Sequence, residues 1–95
     1  MDSFLSEIRD RLALEFKAES IEIVDFSAEH AGHTHGGHIP GHSVGTHIEV
    51  KLVSSLFAGQ SRVNRERMIQ KTLSPELLSG RIHALVLRLK SPEEL

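Results

Sequence analysis

The sequence predicts an α+β fold: a two-layer α-β-β-α-α-β sandwich in which a three-stranded mixed sheet carries its helices on one face. Three observations lead there. Apolar residues recur at helical spacing near the N-terminus and again around Ile69. Three other segments alternate in polarity or are rich in β-branched residues. About 27 residues, enough for two helices, separate the second strand from the third, and a connection of that length is what a parallel crossover needs.

Residues 3–18 read as an amphipathic helix, with Phe4, Leu5, Ile8, Leu12 and Phe16 three or four residues apart and Ser3 as N-cap. Residues 20–26 form the first strand, paired antiparallel to the second despite the long loop between them. Residues 46–54 alternate, Ile48, Val50 and Leu52 on one face and His47, Glu49 and Lys51 on the other, as in a half-buried strand. Phe57 and Gly59 lie in a turn. Ser61 caps a helix over 62–73, with Val63, Met68, Ile69 and Leu73 inward and Arg62, Arg65 and Lys71 outward. Ser74-Pro75-Glu76 restarts a short helix with Ser74 at the cap, and Gly80 ends it. Residues 82–90 form the third strand, and Ser91-Pro92-Glu93-Glu94 repeats the helix-start chemistry. Parallel pairing sets the start of the third strand beside the start of the second, so His83 is expected near His47.

A chain of 95 residues makes one domain with one modest core. It has no cysteine, which excludes disulfides and a thiolate nucleophile, and any soft-metal or cluster site must take its thiolates from another molecule. No run of about 18 apolar residues is present. The N-terminus lacks the basic–apolar–small pattern of a signal peptide, which points to the cytoplasm, although a transit peptide removed earlier would leave no trace. Charge is asymmetric. Residues 1–50 hold nine acids and three bases, and residues 51–95 four acids and eight bases, so the second half offers a basic face to an acidic partner or nucleic acid unless it is simply solvated.

Residues 27–45 are expected to be a flexible loop. They hold His30, His33, His35, His38 and His42, five of the seven histidines, together with five of the seven glycines, and Gly-His-x-x-Gly occurs in them three times. Neutral imidazole ligates zinc, copper, nickel and iron. A strand-borne His83 and a loop histidine are therefore a candidate metal-ligand pair; the alternative is a solvated histidine tract with His83 bonded to backbone. The sequence has no His-Glu-x-x-His, no Gly-x-Ser-x-Gly elbow, no phosphate loop and no evident acid pair, so the chain is expected not to be an enzyme. The α-β-β-α-α-β order is that of the type II KH fold. That raises nucleic-acid binding through Arg62, Arg65, Arg67 and Lys71, but no Gly-x-x-Gly loop accompanies them.

Three segments carry a family resemblance: Thr46-His47-Ile48; Phe57-Ala58-Gly59-Gln60-Ser61 running into Asn64-Arg65-Glu66-Arg67; and Ile82-His83-Ala84-Leu85. With His30-Ala31-Gly32-His33, they resemble the BolA family, in order and at its spacing. Ile48 replaces the family's usual Phe, and Glu66 replaces the histidine of its Arg-His-Arg. The resemblance implies a KH-like fold and a monothiol glutaredoxin partner, the pair forming a heterodimer around a [2Fe–2S] cluster. Glutaredoxin and glutathione would supply thiolates, and this chain His83 plus His30, with His33 as the alternative. No cofactor is expected in the isolated chain. Imidazole binds metal only when unprotonated, so cluster binding should weaken as pH falls through about 6.5. Transcription-associated DNA binding through the basic helix is the second reading, and zinc or nickel binding by the loop alone a third. Self-association into a homodimer is left open.

Overall fold

A computed structural model of the chain describes residues 3–26 and 46–95. Helix α1 spans Ser3–Phe16, strand β1 Ser20–Asp25, strand β2 Thr46–Val53, helix α2 Arg62–Thr72, helix α3 Ser74–Ser79 and strand β3 Ile82–Lys90; single 3-10 turns occupy Ser55–Phe57 and Pro92–Glu94. The sheet order is β1-β2-β3. β1 runs antiparallel to β2, from Ser20 opposite Val53 to Asp25 opposite Ile48, and β2 runs parallel to β3. The α+β sandwich and both pairing senses are those expected. The Gly/His-rich segment at 27–45 lies outside the described residues, and among those described no helix is long and apolar enough to cross a membrane.

The core lies between the helices and one face of the sheet. α1 contributes the stripe Phe4, Ile8, Leu12 and Phe16; β2 contributes Ile48, Val50 and Leu52; Phe57, Ile69, Leu73 and Ile82 complete it. Each such side chain, fully buried, stabilises the fold by roughly 1.5–3 kcal/mol relative to exposure. Ile48, standing where the family has Phe, is fully buried among them. The opposite face carries Glu22, Val24, Lys51, Val86 and Arg88, all exposed, with Arg88 donating to Glu49 across β2 and β3.

Ser54 joins two ends. It is fully buried, its Oγ donates to the Phe16 carbonyl at 2.6 Å, and the same oxygen accepts from Leu56 N at 3.0 Å. One hydroxyl thus satisfies a last-turn carbonyl of α1, which has no intrahelical partner, and starts the turn after β2. α1 itself ends with Lys17 at φ 49°, Ala18 N donating to Ala13 O at 3.0 Å and Lys17 N to Leu14 O at 3.4 Å. That is the Schellman arrangement, built on a non-glycine residue.

Three details of the helical pair differ from the sequence expectation. Val63 is 55% exposed rather than inward. Arg65 faces inward, its side chain 11% exposed. The inner stripe of α2 is set by Ile69, and counting back one turn reaches Arg65, not Val63. Arg65 fits because four of its five guanidinium N–H donors are engaged: it donates to Gln60 O at 3.0 Å, to Leu89 O at 3.2 Å and to both carboxylate oxygens of Glu94 at 2.6 and 3.1 Å. Finally, Ser61 caps α2 as expected, accepting from Asn64 N at 3.1 Å, but α3 starts one residue early, with Leu73 at the cap and no side-chain cap bond from Ser74. Gly80, at φ 83°, closes α3 in the left-handed conformation that glycine adopts without strain.

Two outcomes follow for stability. Ser54→Ala leaves a buried carbonyl and an amide without their partner and should lower unfolding free energy by about 1–3 kcal/mol, read from urea midpoints. The hydrogen bonds from Arg65, then from the Ser91 amide, lower the Glu94 carboxyl from 4.5 to about 2. A depressed folded-state value means that its stabilisation is complete above about pH 4.5 and lost as pH falls toward 2. Glu94→Gln should therefore flatten the wild-type loss of stability across that window, and an unchanged slope would contradict the assignment.

Candidate functional site

β1 ends and β2 begins at one end of the sheet, so Phe26 and Thr46 bracket residues 27–45. Phe26 N donates to His47 O at 2.9 Å, extending the antiparallel ladder by a residue, and Thr46 N donates to Arg81 O at 2.8 Å, fixing the entry of β3 at the same end. His83 is thereby brought beside His47, as the topology predicted.

The orientation of His83 has a cause that the topology did not predict. Thr46 pairs with Ile82, but the next residue, His47, pairs with Ala84, so His83 is the extra residue of a β-bulge. From Leu85 onward the odd-numbered residues of β3 face the core, where Leu85, Leu87 and Leu89 pack against it. Uninterrupted alternation would send His83 inward and Ile82 outward. The bulge reverses both: Ile82 is 2% exposed and in the core, and His83 is exposed.

Once outward, the His83 ring stacks on the His47 ring, centroids 5.2 Å apart and planes 19° apart. Phe26 meets His47 edge-on at 5.8 Å and 63°. A row of three rings, Phe26–His47–His83, therefore crosses all three strands at this end of the sheet. The corner before the bulge is tied as well. Arg81 N donates to Ser79 Oγ at 3.3 Å, and the Arg81 guanidinium lies 4.1 Å from the centroid of the Phe4 ring, a cation–π contact.

His83 thus offers an accessible imidazole on a backbone fixed by a strand. Among the described residues no cluster of three or more His, Cys, Asp or Glu side chains could hold a metal. A metal at His83 would have to take its remaining ligands from residues 27–45 or from a second molecule. His30 and His33, like His35, His38 and His42, lie outside the described residues. Of the basic residues singled out on α2, Arg62, Arg67 and Lys71 are exposed, whereas Arg65 is tied into the fold as described. Arg62 also donates to Glu66 at 3.3 Å, one turn on, so the acid standing in the family's histidine position offsets part of the basic face.

Sequence reasoning missed Phe26 as a site residue, along with the bulge. The bulge does leave a trace: Ile82 and Leu85 are both core residues, yet three apart, a phase break in a strand that otherwise alternates.

A family model for BolA-like protein matches residues 12–94. A Sinorhizobium protein known from the cobS 5' region is 40% identical over 92 residues, covering 97% of this chain and 95% of that protein. The SufE-like protein 1 of Arabidopsis thaliana, chloroplastic/mitochondrial, is 39% identical over 88 residues, covering 93% of this chain, which spans only 24% of that longer protein. The solved BolA domain of the Arabidopsis SufE1 superposes with a TM-score of 0.81 at 35% identity, covering 100% of this chain and 99% of that one. The DNA-binding transcriptional regulator BolA of Escherichia coli is 39% identical over 80 residues, 84% of this chain and 68% of that protein. The chain belongs to the BolA-like protein family.

Proposed function

We propose that this chain is a non-enzymatic adaptor of iron–sulfur trafficking and iron homeostasis that works in the cytoplasm and shares a [2Fe–2S] cluster with a monothiol glutaredoxin. The observation that carries the reading is the exposed imidazole of His83, turned outward by its bulge at the sheet end where residues 27–45 join. An exposed imidazole with no metal-holding cluster around it among the described residues suits a shared site rather than a self-contained one, and a chain without cysteine needs thiolates from elsewhere to hold a cluster. In this reading the glutaredoxin and its glutathione supply them, and the chain supplies His83 with His30, or His33 in its place. Mixed imidazole and thiolate ligation raises cluster potential relative to thiolates alone. The cluster is cargo passing through the complex.

A second reading, a nucleic-acid-binding regulator, is favoured by the name of the Escherichia coli relative and by the exposure of Arg62, Arg67 and Lys71. Arg65 contributes less to it than the sequence alone suggested, because its donors are taken by Glu94 and two carbonyls.

Reconstitution with a glutathione-loaded monothiol glutaredoxin, iron and sulfide separates the two. The expected result is a visible circular dichroism spectrum distinct from that of the glutaredoxin alone, at least about tenfold harder to form with His83→Ala, and lost as pH is lowered through about 6.5. A spectrum identical to the glutaredoxin's, indifferent to His83→Ala, would sink the adaptor reading. For the second reading, DNA affinity should fall steeply with salt, and Arg67→Ala with Lys71→Ala should reduce the slope by about two; no binding at low salt removes it.

A further inference from the structure

We infer that His47 is a positioning residue for His83: its imidazole, braced by Phe26, sets the plane of the donor ring without itself entering the coordination sphere. His83 is taken here as the donor, as proposed above. Metal ligation by imidazole is directional, because the lone pair lies in the ring plane. Where a metal can sit is therefore decided by the orientation of that plane as much as by the place of the backbone. The bulge fixes the second and leaves the first open. An exposed imidazole on a strand has more than one χ1 well, and its χ2 is broad and roughly two-fold. Ala84, the next residue of β3, is too small to restrict it.

The stack on His47 restricts it. With centroids 5.2 Å apart and planes 19° apart, the His83 ring lies nearly parallel to the His47 ring in an offset stack, and the residue is exposed. His47 is suited to be the reference surface. It sits on β2, the central strand, bonded on both sides, with its carbonyl accepting from Phe26 N at 2.9 Å and its ring backed edge-on by Phe26 at 63°. It is half-buried where His83 is exposed, so it is the less mobile partner of the pair.

The same geometry argues that His47 is not a second ligand. Two ligating nitrogens must converge on one metal, each about 2.0–2.1 Å from it in a zinc site. Stacked rings 19° from parallel lie in separate planes, so a metal in the plane of the His83 ring stands off the plane of the His47 ring and out of line with its lone pair. A metal at the edge of the His83 ring leaves its face free, so the stack and the coordination bond can coexist. His47 then does for His83 what a packed or hydrogen-bonded neighbour does for other metal-bound histidines, which is to remove the freedom that binding would otherwise have to freeze out.

Replacing His47 by Phe keeps a flat ring and removes every nitrogen; replacing it by Ala removes the ring. In the metal-free chain at about pH 8, where ordinary imidazoles are neutral, NMR reads the ring-proton shifts and χ1 couplings of His83. Wild type and His47→Phe should show a shifted, single-rotamer His83, and His47→Ala a rotamer-averaged ring with shifts near those of free imidazole. Phe26→Leu should fall between. In reconstitution with the glutaredoxin, His47→Ala should need about two- to tenfold more protein for half-maximal complex, and His47→Phe about as much as wild type. A His83 ring as ordered in His47→Ala as in wild type overturns the inference. So does a His47→Phe chain with an ordered His83 that fails to bind the cluster, since that result makes His47 a ligand. If the wild type forms no His83-dependent complex at all, the adaptor reading falls, while the metal-free spectra still decide whether His47 positions His83. Far-ultraviolet circular dichroism of each variant separates loss of the stack from loss of the fold.

Discussion

The parallel pairing of β2 with β3 is the constraint from which the site follows. A parallel neighbour cannot be reached by a tight turn, so the chain must cross the sheet and return to the end at which β2 began. α2 and α3 make that crossing, and their inner residues Ile69 and Leu73 are held by the core that α1 and β2 supply. The return delivers Ile82 opposite Thr46, beside the point where residues 27–45 rejoin the sheet. An antiparallel third strand would have delivered His83 to the far end. The same pairing contains its own irregularity. One residue too many between Ile82 and Ala84 turns a side chain that alternation would bury into one that solvent reaches, at the cost of a local break in the ladder.

The rest of the small core serves that crossing by closing its ends. Arg65 gathers the turn before α2, the last part of β3 and the C-terminal 3-10 turn on one guanidinium, and Ser54 gathers the end of α1 and the turn after β2 on one hydroxyl. Both are polar groups in places a hydrophobic pattern would assign to apolar residues. A domain of this size has little apolar area to spare. Its unpaired carbonyls at helix and strand ends must nonetheless be satisfied, and a side chain that satisfies several at once does so with the least added chain.

That is also why the fold was legible in the sequence and parts of the site were not. Element order, pairing sense, the Ser61 cap and the Gly80 stop were readable because each rests on a local rule: a period, a cap, a left-handed glycine, a crossover length. Proximity of His83 to His47 was readable from topology. Arg65 is hard to read because apolar identity points to Val63 as the inward residue, whereas helical period carries the inner stripe from Ile69 back one turn to Arg65. The bulge was missed because Ala84 and Val86 are apolar enough to hide the phase break that Ile82 and Leu85 record. Phe26 was read only as the end of a strand. Its role depends on which residue of β2 it faces, which no local window contains. His30 and His33 lie outside the described residues.

The proposed function and the physics of so incomplete a site agree in one further respect. A protein that stores a cluster needs enough fixed donors to hold it when alone, whereas one that passes it on must bind it more weakly than the final recipient. Imidazoles compete less well than thiolates for soft iron–sulfur centres. In the proposed reading, a chain that contributes only imidazole therefore adds a modest increment to what a thiolate-bearing partner already provides. Setting the plane of the rigid donor through His47 raises that increment without adding a ligand. The site can then gain selectivity for a partner-held cluster while remaining easy to leave, which is the balance that exchange requires and that further fixed donors on this chain would destroy.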